Sequence, residues 1–274
     1  MKRMIVAVSS ALALVLVTMP ALAQEFTLHK EDVVGDKPDY SPFVDRHYPQ
    51  RVYWGDTHLH TSNSPDAGLV GNTLGPDMAY RFARGEEVTA SGGLRVKLIR
   101  PLDFLVVADH SEYMGLPPML AAGDPVLLSD PTGKRWYDMY NGGPEQTVAA
   151  MREVVDSVVA GKNLIKNDGV LRTVWERNNA TADEFNDPGN FTAFIGYEWT
   201  PSSRHPRSPN FHRNIIFEGG AQQAGKIIPF SNQDSNNVED LWAFLKDYEA
   251  QVGGKVLAVR RYAGIVLGEL LGNL

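Results

Sequence analysis

Two histidines one residue apart, His58-Leu-His60, sit within Trp54-Gly-Asp-Thr-His-Leu-His-Thr61 and supply the first recognisable chemistry of the chain. Residues i and i+2 of a strand face the same side, so both imidazoles can converge on one ion. Alone, such a pair reads equally well as two polar residues ending a strand. Three further clusters shift that balance. The apolar run Leu102–Ala108 leads straight into Asp109-His110-Ser111-Glu112. Ile195-Gly-Tyr-Glu198-Trp199 ends a second run in a carboxylate, and His212 opens a third, His212-Arg-Asn-Ile-Ile-Phe217. Asp66 adds a carboxylate shortly after the histidine pair, and Asp56 could partner an imidazole's outer nitrogen. Repeated imidazole and carboxylate at strand ends is a metal-ligand inventory rather than a set of separate caps. The chain has no Cys, which excludes thiolate ligands, disulfides and a thiol nucleophile. Imidazole and carboxylate donors suit zinc, manganese or iron.

The stretch 201–213 reverses the local charge. It holds Arg204, Arg207, Arg213, His205 and His212 with no acid, on a chain of formal net charge -7. Guanidinium forks match phosphate and sulfate geometry, so Arg204 and Arg207 are candidate substrate binders and Arg213 a candidate catalytic anion binder. A solvated basic loop is the bland reading of the same residues.

The elements that must position these groups follow from the apolar pattern. Short apolar runs alternate with amphipathic stretches, as in an α/β protein. Strands are expected at Val52–His58, Leu102–Ala108, Phe191–Trp199, Asn214–Phe217 and Lys255–Val259, with a helix at Pro76–Arg84. Between the second and third strands, Val148, Met151, Val154, Val155, Val158 and Val159 recur at helical spacing, followed by Val170, Leu171, Val174 and Trp175. Gly123–Gly143, rich in Gly, Pro and Asp, reads as a surface loop. Val238–Gln251 reads as a helix with Leu241, Trp242, Phe244, Leu245 and Tyr248 inward. Trp54, Trp199 and Tyr113 could wall a site, although core packing is the commoner role of tryptophan.

Lys2 and Arg3, the apolar run Met4–Val17 and the small-x-small Ala21-Leu22-Ala23 form the pattern of a cleaved secretory signal over 1–23. Cleavage after Ala23 leaves 251 of the 274 residues and takes the net charge from -7 to -9 by removing Lys2 and Arg3. A periplasmic or secreted location is expected, with 24–50 as an extended lead-in and no membrane association after cleavage. The acidic balance gives no reason to expect a nucleic-acid partner.

The order His-Leu-His-Thr, Asp66, Ala-Asp-His, Gly-Tyr-Glu-Trp and a lone strand-opening His resembles the polymerase-and-histidinol-phosphatase (PHP) superfamily of metal-dependent phosphoesterases. The wording Tyr-Trp-Gly-Asp-Thr-His-Leu-His-Thr and Gly-Tyr-Glu-Trp-Thr is most similar to an exported bacterial branch, domain of unknown function 3604. The resemblance implies a distorted (β/α)7 barrel portion over 51–259, with a helical insertion at about 124–190, and two or three divalent ions at its C-terminal face. By position, His58, His60, Asp66, His110, Glu198 and His212 would be ligands, Glu198 bridging, and Asp109 would orient its neighbour or handle a proton. The implied function is hydrolysis of a small anionic ester, phosphate or a related oxyanion, by metal-activated water. The chain departs from the family after Val259: Arg260-Arg-Tyr-Ala-Gly stands where Pro-His-Asn is expected, and no His follows His212. A truncated barrel with a divergent tail at 260–274 is therefore expected, and with it the alternative of a non-catalytic metal-binding fragment. An amidohydrolase-type enzyme, which also opens with His-x-His, accommodates the Ala-Asp-His and Gly-Tyr-Glu-Trp elements poorly.

Overall fold

Residues 51–201 and 212–260 are described by a computed structural model. The signal pattern, the lead-in, Arg204, Arg207 and residues 261–274 of the tail lie outside these described residues. The elements are β1 (Gly55–Leu59), α1 (Pro65–Gly68), α2 (Pro76–Ala83), β2 (Val88–Thr89), β3 (Arg95–Val96), β4 (Phe104–Val107), α3 (Leu116–Ala122), α4 (Pro125–Leu128), α5 (Pro131–Tyr140), α6 (Pro144–Val159), α7 (Gly169–Phe185), β5 (Thr192–Trp199), β6 (Arg213–Phe217), α8 (Ala221–Ala224), α9 (Val238–Val252) and β7 (Val256–Arg260).

Five strands form one mixed sheet in the order β1-β4-β5-β6-β7, and β2 and β3 make a separate hairpin. β1, β4 and β5 are parallel, whereas β6 runs antiparallel to both β5 and β7. The fold is thus α/β. Among the described residues the sheet is open, where the resemblance implies a barrel. β6 starts beside the end at which β5 stops, with Trp199 and Arg213 paired in register. That end is where Glu198 and His212 lie.

One face of the sheet carries the main core. Leu105, Val107, Ile195, Tyr197, Trp199, Ile215 and Phe217 are buried with Tyr80 of α2, Trp175 of α7 and Tyr248 of α9. The other face carries a small apolar cluster, Val106, Ala108 and Ile216, below the histidine cluster. It is concave: the Asn214 side-chain amide on β6 donates to the Thr57 carbonyl on β1 at 2.8 Å, reaching past β5 and β4. Gly196 permits the close strand approach on this face. A Cβ there would lie 2.6 Å from Val106 Cγ1 and 2.7 Å from the Ile215 carbonyl oxygen.

Several local expectations are corrected. Gly123–Gly143 contains two helices, α4 and α5, instead of a loop. In each, an Asp caps the first turn, Asp124 for Val126 N–H and Asp130 for Thr132 and Gly133 N–H, and Pro follows at the first helical position, where its missing N–H costs nothing. Trp242 is half-exposed, so α9 turns inward only along Leu241, Leu245 and Tyr248 with Phe244 partly covered. On α6, Val154 is buried while Val148, Val155 and Val159 face solvent. Trp199 and Tyr113 are core residues, and Trp54 is exposed. No helix among the described residues is long and apolar enough to cross a membrane.

Candidate metal centre

The site begins with an irregularity in β1. Asp56 pairs with Leu105 and Leu59 with Val107, so three steps on β1 match two on β4. Such a bulge re-aims the strand end. Leu59 packs towards the main core while His58 and His60 turn to the concave face. Asp56 accepts from the backbone N–H of His58 at 2.8 Å, supporting the bulge and not an imidazole.

Glu198 is the hub. Its side chain is fully buried, and Oε2 lies 3.0 Å from His58 Nε2 and 2.8 Å from His60 Nε2, with those two nitrogens 3.0 Å apart. Oε1 contacts His212 Nδ1. His110 follows β4 and forms a parallel bridge with Glu198. Its Nδ1 is 3.6 Å from Glu198 Oε2, and its Nε2 is 3.3 Å from Asp66 Oδ2. Asp66, in the first turn of α1, also contacts His60 Nδ1 at 3.0 Å and accepts from Ser64 Oγ at 2.6 Å. All six predicted ligands therefore meet, in three overlapping groups: His58–His60–Glu198, His60–Asp66–His110 and His110–Glu198–His212.

The donor set fits a divalent transition metal. In a tetrahedral site with bonds of about 2.0–2.1 Å, neighbouring donors lie roughly 3.3 Å apart. The first group's edges of 2.8, 3.0 and 3.0 Å need little expansion to reach that spacing. All three residues in it supply nitrogen or oxygen, in keeping with zinc, manganese or iron.

Opposite charges face one another across the cluster. Burial opposes a charged imidazole, yet hydrogen bonds to Asp66 and Glu198 raise His60 to about 9. Burial likewise opposes the charge on His110, and Asp66, Glu112 and Glu198 raise it to about 10. Burial would raise Asp66 and Glu198, but the imidazoles around them hold both well below the usual carboxylate range. The signs give a stability prediction for the metal-free chain. A histidine raised above 6.5 contributes fully below that pH and loses its contribution as pH rises through the folded value. The melting temperature of chelator-treated protein should therefore fall between pH 7 and pH 10 as His60 and His110 release their protons. The depressed carboxylates act at the other end, losing their contribution as pH falls below about 4.5. A melting temperature flat from pH 7 to pH 10 would contradict this charge pairing.

Asp109 sits apart from the ligand atoms. It is buried, which pushes its carboxyl up to about 6, and its oxygens accept from Thr61 N–H at 2.6 Å and Thr61 Oγ1 at 2.7 Å. It ties the end of β4 to the turn after His60. Arg213 pairs in register with Trp199, and its guanidinium donates to the His212 carbonyl at 3.0 Å. A cavity of about 200 Å³ lined by Leu59, His60, Leu74, Met78 and Phe82 borders the cluster. A second of about 250 Å³, between Tyr113, Ile165, Phe230 and Phe244, is lined by none of the six ligands.

Two neighbours were not singled out from the sequence as site residues. Thr200 Oγ1 lies 2.6 Å from His110 Nδ1, and Glu112, 2% exposed, lies behind them. Their signal was only adjacency, in Asp-His-Ser-Glu112 and Glu-Trp-Thr200. A family model described as "Protein of unknown function (DUF3604)" matches residues 47–270. No curated protein and no solved structure matches the chain.

Proposed function

Because the chain belongs to the DUF3604 family, whose description names no activity, we propose its function from the site: a metal-dependent hydrolase of phosphate or related oxyanion esters. The observation that carries this reading is the convergence of His58, His60, Asp66, His110, Glu198 and His212 at one end of the sheet. Membership of the PHP superfamily is part of the proposal. It is supported by the order of those residues along the chain and by the concave face on which they meet. An exported, periplasmic enzyme is likewise proposed, on the pattern of residues 1–23.

The six residues would hold two or three divalent ions, which when bound supply Lewis-acid polarisation and a water of lowered pKa. The protein's own groups do the rest. Glu198 presents two oxygens to opposite sides, towards the His58–His60 pair and towards His212. Asp66 accepts from His60 and fixes its ring. Asp109 anchors the turn that carries His60 and Thr61. Arg204, Arg207 and Arg213 would bind the anionic part of a small ester, where guanidinium forks favour a tetrahedral oxyanion. No nucleic-acid or membrane partner is proposed.

The test is hydrolysis of aryl phosphate mono- and diesters by the full chain supplied with zinc or manganese. Turnover is expected in the unaltered protein and absent in a His58→Ala/His60→Ala double variant. Equal rates in the two would remove the cluster from the reaction.

A further inference from the structure

We propose that Thr200, backed by Glu112, is a positioning residue that fixes the tautomer of His110 and so divides the cluster into a stronger and a weaker ion site. This inference rests on the metal reading above and adds how the donors are shared.

The three ligand groups overlap, and they cannot all fill at once. His60 belongs to the first and second, His110 to the second and third, and Glu198 to the first and third. A carboxylate has two oxygens and can serve two ions. A neutral imidazole has one lone pair and serves one. For His60 the position of Asp66, on the opposite ring nitrogen from His58 and Glu198, makes the division. Nδ1 lies 3.0 Å from Asp66 Oδ1 and donates there, which leaves the Nε2 lone pair for the group with His58 and Glu198.

For His110 the deciding contact is Thr200. Nδ1 is 2.6 Å from Thr200 Oγ1 but 3.6 Å from each of Glu198 Oε2 and Glu112 Oε2. Thr200 is itself held: its backbone N–H donates to Glu112 Oε1 at 3.3 Å, and the same oxygen accepts from Asn232 N–H at 3.0 Å. Glu112 Oε2 is buried without a hydrogen-bond partner and is turned towards His110 Nδ1. A hydroxyl oxygen and a buried carboxylate on one side of the ring favour the proton on Nδ1. Nε2 then directs its lone pair to the side of Asp66 Oδ2, 3.3 Å away. The outcome is one ion held by His58, His60 and Glu198 and a second held by His110 Nε2 and Asp66, while Glu198 Oε1 and His212 lose His110 from the third group.

Zinc titrated calorimetrically into the chelator-stripped full chain should give two binding events of unequal affinity. Thr200→Val keeps the side-chain shape but removes the hydroxyl. It should weaken the second event by about tenfold or more and leave the first within about twofold, as expected for loss of an outer hydrogen bond. Thr200→Ser should restore the weaker event. If Thr200→Val does not melt cooperatively, Glu112→Gln is titrated instead, with the same selective loss expected. Two events untouched by either variant, or weakened alike, overturn this inference while leaving the metal reading intact. No zinc bound by the unaltered chain overturns both.

Discussion

Replacing Glu198 by Gln should abolish tight metal retention and, with it, ester hydrolysis. The carboxylate is fully buried and touches both the His58–His60 pair and His212. The amide keeps the volume but presents an N–H₂ where an oxygen now faces an imidazole nitrogen. It also leaves His60 and His110, raised to about 9 and about 10, without their central counter-charge. Outer partners of a metal ligand cost about 10–100-fold in affinity when removed, and loss of the shared ligand should exceed that range. Metal analysis after dialysis, beside a zinc titration, measures the effect. A Glu198→Gln protein that holds metal as well as the unaltered chain would make Glu198 a structural carboxylate only.

Trp175→Ala should be strongly destabilising although it lies outside the cluster. The indole is 1% exposed, donates to the Ala224 carbonyl at 3.0 Å, and packs 5.9 Å, centroid to centroid, from both Tyr197 and Phe217. Truncating a buried Trp costs about 3–5 kcal/mol, which for a domain of this size lowers the melting temperature by roughly 6–20 °C. Tyr197 directly precedes Glu198, so the same cavity loosens the strand that carries the central ligand. Trp242→Ala, on the half-exposed side of α9, should cost far less. Thermal unfolding of the two variants side by side decides the matter, and equal losses would contradict the assignment of the core face.

The contrast between these tryptophans shows what the sequence could convey. Helical spacing marked both as apolar positions, but on α9 the apolar residues wrap around more than one face. Only packing selects Leu241, Leu245 and Tyr248 over Trp242. Strand ends were legible because two-residue alternation is strict. His58, His60, His110, Glu198 and His212 all fall beside a strand terminus, and the structure brings them together with Asp66. The helices α4 and α5 were hidden by their own punctuation. Asp-Pro at 124–125 and 130–131 resembles a turn, yet the same pair is an N-cap followed by a favourable first helical residue. The β2–β3 hairpin is two residues per strand, too short for any periodicity. Thr200 and Glu112 were missed as site residues because their contact joins positions 88 residues apart.

The central claim is that the histidine–carboxylate cluster is a metal centre. Elemental analysis of the full chain, loaded with zinc, manganese or iron and dialysed, tests it most directly. At least one ion per chain should remain in the unaltered protein, and less than one tenth as much, about the loss that displaced ligands imply, in the His58→Ala/His60→Ala variant. Retention of no metal by a cooperatively folded, unaltered chain would contradict the account.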